Sequence, residues 1–104
     1  MKLACPISKS ELEQLLESLQ SMIEDVPESS MKENAVSVFH KFEALRSDIT
    51  PDEFAAAKAA LQYDLGICED YIRESIPTKK RLQAEKRIRD IRALLSKFLS
   101  ASFD

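Results

Sequence analysis

The sequence has little material for turns, disulfides or catalytic sites. It contains one glycine, one histidine, two cysteines, four prolines and no tryptophan in 104 residues. Because phosphate-binding loops and dinucleotide-binding fingerprints need several glycines in a short stretch, neither can exist here. One histidine excludes the paired histidine ligands of carboxylate-bridged metal bundles. We therefore predict that the chain holds no metal or cofactor and is not an enzyme.

Long apolar runs are also missing. Charged residues interrupt every segment before it reaches the ~20 apolar residues of a transmembrane helix. Cys5 and Cys68 have neither the spacing of a metal knuckle nor that of a redox pair. A reducing compartment is the usual setting for such cysteines. These features predict a cytoplasmic protein that does not bind membranes.

The residues that are abundant favour helices. Leucine, alanine, glutamate, lysine, serine and glutamine dominate the composition, and most of these types are good helix formers. A chain of 104 residues is long enough to bury one core without metal or disulfide staples. We expect a single all-α domain without β-strands, preceded by an extended arm over residues 1–9.

The clearest helix signal begins at Thr50-Pro51-Asp52-Glu53, where threonine and glutamate form a capping box and proline presets the first turn. Apolar residues then cover an arc of roughly 200°, which is wider than one neighbouring helix can bury. They are Phe54, Ala56, Ala57, Ala60, Leu61, Tyr63, Leu65, Ile67, Cys68, Tyr71 and Ile72. This helix is predicted to contact at least two others.

Helices are predicted over about 10–26, 30–47, 51–75 and 78–100. The inward stripes of the second and fourth helices include Leu45 and Leu99. Short connections place sequential helices side by side, which predicts a four-helix antiparallel up-down-up-down bundle. The alternative is a three-helix core with the fourth helix splayed away or swapped into a partner at the hinge Ile76-Pro77.

Gly66 lies within the third predicted helix, on its polar stripe. A glycine inside a helix costs ~1 kcal/mol relative to alanine. Three explanations are open: the position tolerates glycine without benefit, a partner's backbone approaches it, or the helix bends there. A break at Leu65-Gly66 would divide the chain into five helices.

Charge is divided unevenly along the chain. Residues 1–77 hold fifteen acidic and seven basic side chains, a balance of −8, whereas residues 78–104 hold three and eight, a balance of +5. The fourth helix is thus a basic rod on an acidic body. Carboxylates on neighbouring helices offer one explanation, because they could neutralise it within the bundle. The candidates are Glu11, Glu17, Glu69, Asp70 and Glu74.

The other explanation is that the fourth helix binds an acidic partner. Leu82 falls opposite Ile91 on the helical wheel, among cations, which is typical of an interface hot spot, although it could also cover the turn at Pro77. The predicted partner-binding face consists of Lys79, Leu82, Lys86, Arg89 and Arg92.

These features predict a small protein-protein interaction module, such as an adaptor, an inhibitor or a regulatory subunit. The alternative is a nucleic-acid-binding protein that uses the same basic helix. A sequence pI near 5.2 and the lack of an RNA-binding or zinc-finger motif favour a protein partner. Self-association through the fourth helix and the acidic body of a second copy is also open.

Asp64 interrupts the apolar arc of the third helix. A buried carboxylate needs a partner, so we expect an arginine, a lysine, a tyrosine hydroxyl or water beside it. It is either a structural polar contact, a boundary position that reaches solvent, or the centre of a ligand or catalytic site with Tyr63 and Tyr71. The last hypothesis requires a cavity beside Asp64 and a strongly shifted titration. The single histidine, His40, is predicted to lie on the outer face of the second helix.

Overall fold

The computed structural model describes residues 3–74 and 78–103 and is all-helical in architecture. The helices are α1 (Lys9–Asp25), α2 (Ser30–Glu43), α3 (Pro51–Arg73) and α4 (Thr78–Leu99). Each corresponds to one predicted helix. The predicted hinge at Ile76-Pro77 and the predicted end of the third helix at residue 75 lie outside the described residues.

One short antiparallel pairing joins the two ends of the described chain. The two-residue strand β1 (Leu3–Ala4) pairs with β2 (Ser102–Phe103), with Leu3 opposite Phe103 and Ala4 opposite Ser102. The expectation of no strand was therefore wrong at this point. Two residues are too few to show the alternation of polar and apolar side chains that identifies a strand in a sequence.

The helix starts follow local capping chemistry. Ser8 accepts a hydrogen bond from the Glu11 backbone, and the Glu11 carboxylate accepts one from the Ser8 backbone at 2.9 Å. Thr50 and Glu53 form the same reciprocal box at the start of α3. Each box satisfies two donors that a helix N-terminus leaves free.

Helix α3 lies at the centre of the fold and contacts α1, α2 and α4. Its alanines Ala56, Ala57 and Ala60 are fully buried, and their small side chains let neighbouring helices approach closely. Among the described residues α1 also contacts α2 and α4, whereas α2 and α4 do not touch each other. The prediction that this helix packs against at least two others is confirmed.

The helix α3 is continuous through Gly66, so the alternative of a break that would give five helices is excluded. Gly66 is exposed, and a Cβ atom added there would meet no neighbouring atom within 4 Å. Packing inside the fold therefore does not require glycine at this position.

Near the C-terminal ends of the helices, some apolar side chains that were assigned to inward stripes are exposed instead. Tyr71 is 50% exposed, Leu45 80% and Leu99 81%. Each lies at or near the end of its helix, where the neighbouring helix no longer covers the full arc. A helical stripe is therefore a poor guide to burial in the last turn.

Helix α2 ends at Glu43, four residues before the predicted end at residue 47. The backbone N–H of Leu45 bonds the Phe42 carbonyl, and that of Arg46 bonds the Lys41 carbonyl. This is the Schellman pattern, and Leu45 occupies its left-handed position with φ 59°. Glycine is the usual residue there, which is why the sequence pattern did not reveal the end of the helix.

The connection between α2 and α3 is held by a buried carboxylate. Glu53 is 3% exposed and accepts hydrogen bonds from the Ser37 hydroxyl, the Lys41 ammonium at 2.8 Å and the Thr50 backbone at 2.8 Å. Burial raises the pKa of the Glu53 carboxyl, but these donors and the charge of Lys41 outweigh burial, so its pKa is lowered.

Replacement of Leu45 by glycine should stabilise the protein. A non-glycine residue in the left-handed region costs ~1–2 kcal/mol, and Leu45 buries little side chain in return. After the added chain entropy of glycine in the unfolded state, we expect a gain of about 1 kcal/mol in the free energy of unfolding by urea. Leu45→Ala is the control, because it keeps the strain. Equal stability of the two variants would contradict this explanation.

Loss of the Glu53 charge should weaken the fold in a pH-dependent way. Because its folded pKa is lowered, its contribution is complete above the unfolded value of about 4.3 and disappears as pH falls through the folded pKa. Glu53→Gln should cost about 1–2 kcal/mol at pH 7 and converge on the wild type in acid. Urea unfolding between neutral pH and pH 3 measures this difference. The control is Glu13→Gln, at an exposed carboxylate on α1. Its difference in stability from the wild type should be small and should not change with pH in this way.

Candidate functional site

Helix α4 presents one side to the core and the opposite side to solvent. Its buried residues are Ala84, Ile88, Ile91, Leu94 and Phe98. They pack on α3 and α1; for example, the rings of Phe98 and Phe54 lie 4.9 Å apart. Since the buried stripe faces inward, residues about half a turn away must point outward.

All five residues of the predicted partner-binding face are exposed on that outward side. They are Lys79, Leu82, Lys86, Arg89 and Arg92. Leu82 is 59% exposed and lies among these cations. These five residues are hereafter called the basic face. The turn at Pro77, which Leu82 could have covered, lies outside the described residues.

Only part of the charge on α4 is neutralised by its own helix. Lys86 pairs with Asp90 at 3.1 Å, and Arg81 pairs with Glu85 at 3.4 Å. Both pairs are one turn apart and solvent-exposed, so each contributes little to stability. Within residues 3–74 and 78–103, Arg89 and Arg92 form no ion pair. These two guanidinium groups are available to a partner.

Two of the expected neutralising carboxylates do pair with α4. Glu11 binds Lys97 at 2.7 Å, and Glu17 binds Arg87 at 2.7 Å. Neither cation belongs to the basic face. Asp70 pairs instead with Arg73 on its own helix at 3.4 Å. Neutralisation within the bundle therefore anchors α4 to α1, and among the described residues most of the basic face has no ion pair.

A groove of about 440 Å³ runs between α3 and α4 beside the basic face. Its lining residues are Glu69, Ile72 and Arg73 from α3 and Glu85, Ile88, Arg89 and Arg92 from α4. The sequence predicts that Arg89 and Arg92 lie on the surface, but it does not reveal that α3 contributes to the same groove. The polar stripe of α3 that ends at Arg73 was the available signal, but which helix lies beside it is decided by the tertiary structure.

Asp64 forms the most connected polar contact in the core. Its carboxylate accepts hydrogen bonds from the Ser18 hydroxyl at 2.7 Å, from the Gln14 amide at 3.3 Å and from the Arg87 guanidinium. The Cys68 thiol lies 3.9 Å from its other oxygen. The prediction that Asp64 finds a polar partner is confirmed, and among the partners that were open the cation is Arg87.

Arg87 is held in place by two carboxylates. It is bonded to Asp64 and also to Glu17 of α1. Burial lowers the pKa of the Arg87 guanidinium, but the charge of Asp64 and the hydrogen bonds to Asp64 and Cys68 together outweigh burial, so the pKa is raised. Arg87 falls between Leu94 and Phe98 on the helical wheel of α4, inside the apolar stripe. A charged residue at that position is the signal that could have identified it from the sequence.

A second cavity, of about 340 Å³, lies beside this ion pair. Tyr71, Lys80, Gln83 and Arg87 are among its lining residues. The cavity required by the ligand-site hypothesis is therefore present, and Tyr71 lines it. Tyr63 does not, because its hydroxyl donates to Asp25 at 2.6 Å.

The cysteines and the histidine show no arrangement for chemistry. Cys68 is buried, as its place on the apolar arc predicts, and Cys5 is half-buried. Burial raises the pKa of both thiols, which keeps them protonated and poorly nucleophilic. His40 is exposed, 3.9 Å from Glu43. The described part of the chain contains no group of three metal-ligating side chains.

Comparisons with protein-family models, curated proteins and solved structures found no match. The site must therefore be interpreted from its own geometry. Within the described ranges, none of the helices has the length and apolar character needed to cross a membrane.

Removal of either partner of the Asp64–Arg87 pair should lower the stability of the fold, but by unequal amounts. Arg87→Gln leaves a carboxylate that is 4% exposed without its cation, so we expect a loss of about 3 kcal/mol, at the low end for a buried pair because Arg87 itself is partly exposed. Asp64→Asn should cost less, since Arg87 keeps Glu17. Urea unfolding of both variants and of the double variant gives their coupling energy.

The same set of variants at the exposed pair Lys86–Asp90 is the matched control for this double-mutant cycle. Lys86→Gln and Asp90→Asn should each change stability by less than about 0.5 kcal/mol. If Arg87→Gln were as mild as Lys86→Gln, the buried pair would not be a structural determinant of the fold.

Proposed function

We propose that this protein is a non-catalytic interaction module that binds an acidic surface of a partner protein through the basic face. The observation that carries this proposal is Leu82, which is 59% exposed among the cations Lys79, Lys86 and Arg89. An apolar side chain surrounded by polar groups is the arrangement of an interface hot spot, where the rim excludes water from the central contact.

The electrostatic layout supports a protein rather than a nucleic acid as the partner. The chain has a net charge of −3, and the acidic side chains Glu69 and Glu85 line the groove next to the basic face. A phosphate backbone carries regularly spaced negative charges that cannot avoid these carboxylates. A protein can place its own carboxylates against Arg89 and Arg92 and keep other positions neutral.

We also infer that the helices form one domain with up-down-up-down topology. Lys97 near the end of α4 bonds Glu11 near the start of α1, whereas Arg87, earlier in α4, bonds Glu17, later in α1. These contacts favour opposite directions for α1 and α4. With two cysteines that are free, the cytoplasm is the proposed compartment.

The test is a pull-down with the tagged full chain from lysate of its native cell, at moderate salt and after nuclease treatment. A protein captured by the wild type should be lost with Leu82→Glu and with Arg89→Glu. Leu99→Glu is the matched control for the first variant, because Leu99 is an exposed leucine on the same helix. Lys9→Glu, at an exposed lysine of α1, matches the charge change of the second.

The outcomes separate the two classes of partner. A protein partner on the basic face is supported if capture persists after nuclease treatment and with both control variants. Capture must also be lost with both test variants. Recovery of nucleic acid, with affinity falling steeply as salt rises, would instead favour the nucleic-acid alternative. Capture that all four variants retain would exclude the basic face.

A further inference from the structure

We propose that the groove between α3 and α4 binds an acidic amphipathic helix of the partner protein. This proposal deepens the proposed function and rests on it. It assigns a second wall to the binding site, because α3 contributes Ile72 and Arg73, which lie outside the basic face. The partner helix would cover the apolar floor and direct its carboxylates toward the arginines.

The floor of the groove is apolar, and its walls carry three arginines and two glutamates. Ile72 is half-buried and Ile88 is 7% exposed, and both line the groove. An apolar side chain from a partner would remove their remaining surface from water. Arg73 stands on the α3 side, and Arg89 and Arg92 stand on the α4 side.

Three arginines and two glutamates line this groove, so cations outnumber carboxylates there. The Glu85 carboxylate is paired with Arg81. Arg73 makes only a 3.4 Å contact with Asp70, and both of these side chains are well exposed to solvent. Arg89 and Arg92 have no ion pair among the described residues. Their guanidinium groups can therefore bind carboxylates of a partner, with which arginine forms strong bidentate contacts.

The spacing of these arginines fits a helical ligand. Arg89 and Arg92 are three residues apart on α4 and therefore lie on one side of it, about one turn apart. Carboxylates three or four residues apart on a partner helix have the same spacing. A groove between two packed helices accepts the side-chain ridge of a third helix, which is the helix-in-groove mode of peptide recognition.

The first experiment is a selection from a phage-displayed library of helical peptides against the immobilised full chain. Recovered peptides should carry aspartate or glutamate three or four residues apart beside a leucine, isoleucine or phenylalanine. Recovery of peptides without this acidic pattern, or of no peptide, would overturn the proposal.

The second experiment locates the binding site. Selected peptides are synthesised with a fluorophore, and their affinity is measured by anisotropy. Arg73→Glu on α3 and Arg89→Glu on α4 should each weaken binding by at least about tenfold, the loss of one strong interface contact. The charge-matched control Lys9→Glu should stay within about twofold, and circular dichroism should show that every variant retains its helices.

The variants distinguish failure of this inference from failure of the proposed function. If Arg89→Glu and Leu82→Glu weaken binding but Arg73→Glu does not, the ligand lies on the basic face alone, and the groove proposal is wrong while the proposed function stands. If none of the three weakens binding, both are wrong. Competition by a single-stranded RNA oligonucleotide at physiological salt would overturn the acidic-helix proposal in favour of nucleic acid.

Discussion

The orientation of α4 depends on the buried contact between Asp64 and Arg87. Asp64 comes from α3 and also accepts hydrogen bonds from Ser18 and Gln14 of α1, so one carboxylate joins three helices. With Arg87 turned inward toward this carboxylate, α4 cannot rotate about its axis without leaving a buried charge unpaired. This pair therefore acts together with the apolar stripe of α4 to direct Leu82, which is 59% exposed, toward solvent.

The same segregation of charge stabilises the fold and creates its candidate binding surface. The acidic first part of the chain supplies Glu11 and Glu17, which pair with Lys97 and Arg87 and anchor α4 to α1. The cations on the other side of α4 face solvent, beyond the reach of these carboxylates. A basic helix on an acidic body is therefore neutralised on its inner edges and remains cationic on its outer face.

The candidate site could be predicted only in part. Exposure of the basic face followed from helical periodicity, because the apolar stripe of α4 had to face the core. That Asp64 needs a partner followed from the cost of burying a charge, but its choice of Arg87 depends on how α3 and α4 are aligned. The groove lined by Ile72 and Arg73 could not be predicted, since it exists only between two helices whose adjacency is a tertiary property.

The sequence by itself determined the number of helices and where most of them begin. Capping at Thr50 is a contact between residues three apart, so local sequence suffices to specify it. The tertiary structure decided which ends of the apolar stripes are covered, which is why Leu99 is exposed. It also decided the β1–β2 pairing, which joins segments at opposite ends of the chain. Short sequence patterns specify local contacts such as a helix cap. The covered ends of the stripes and the strand pairing depend instead on residues that are distant in sequence and that only packing brings together.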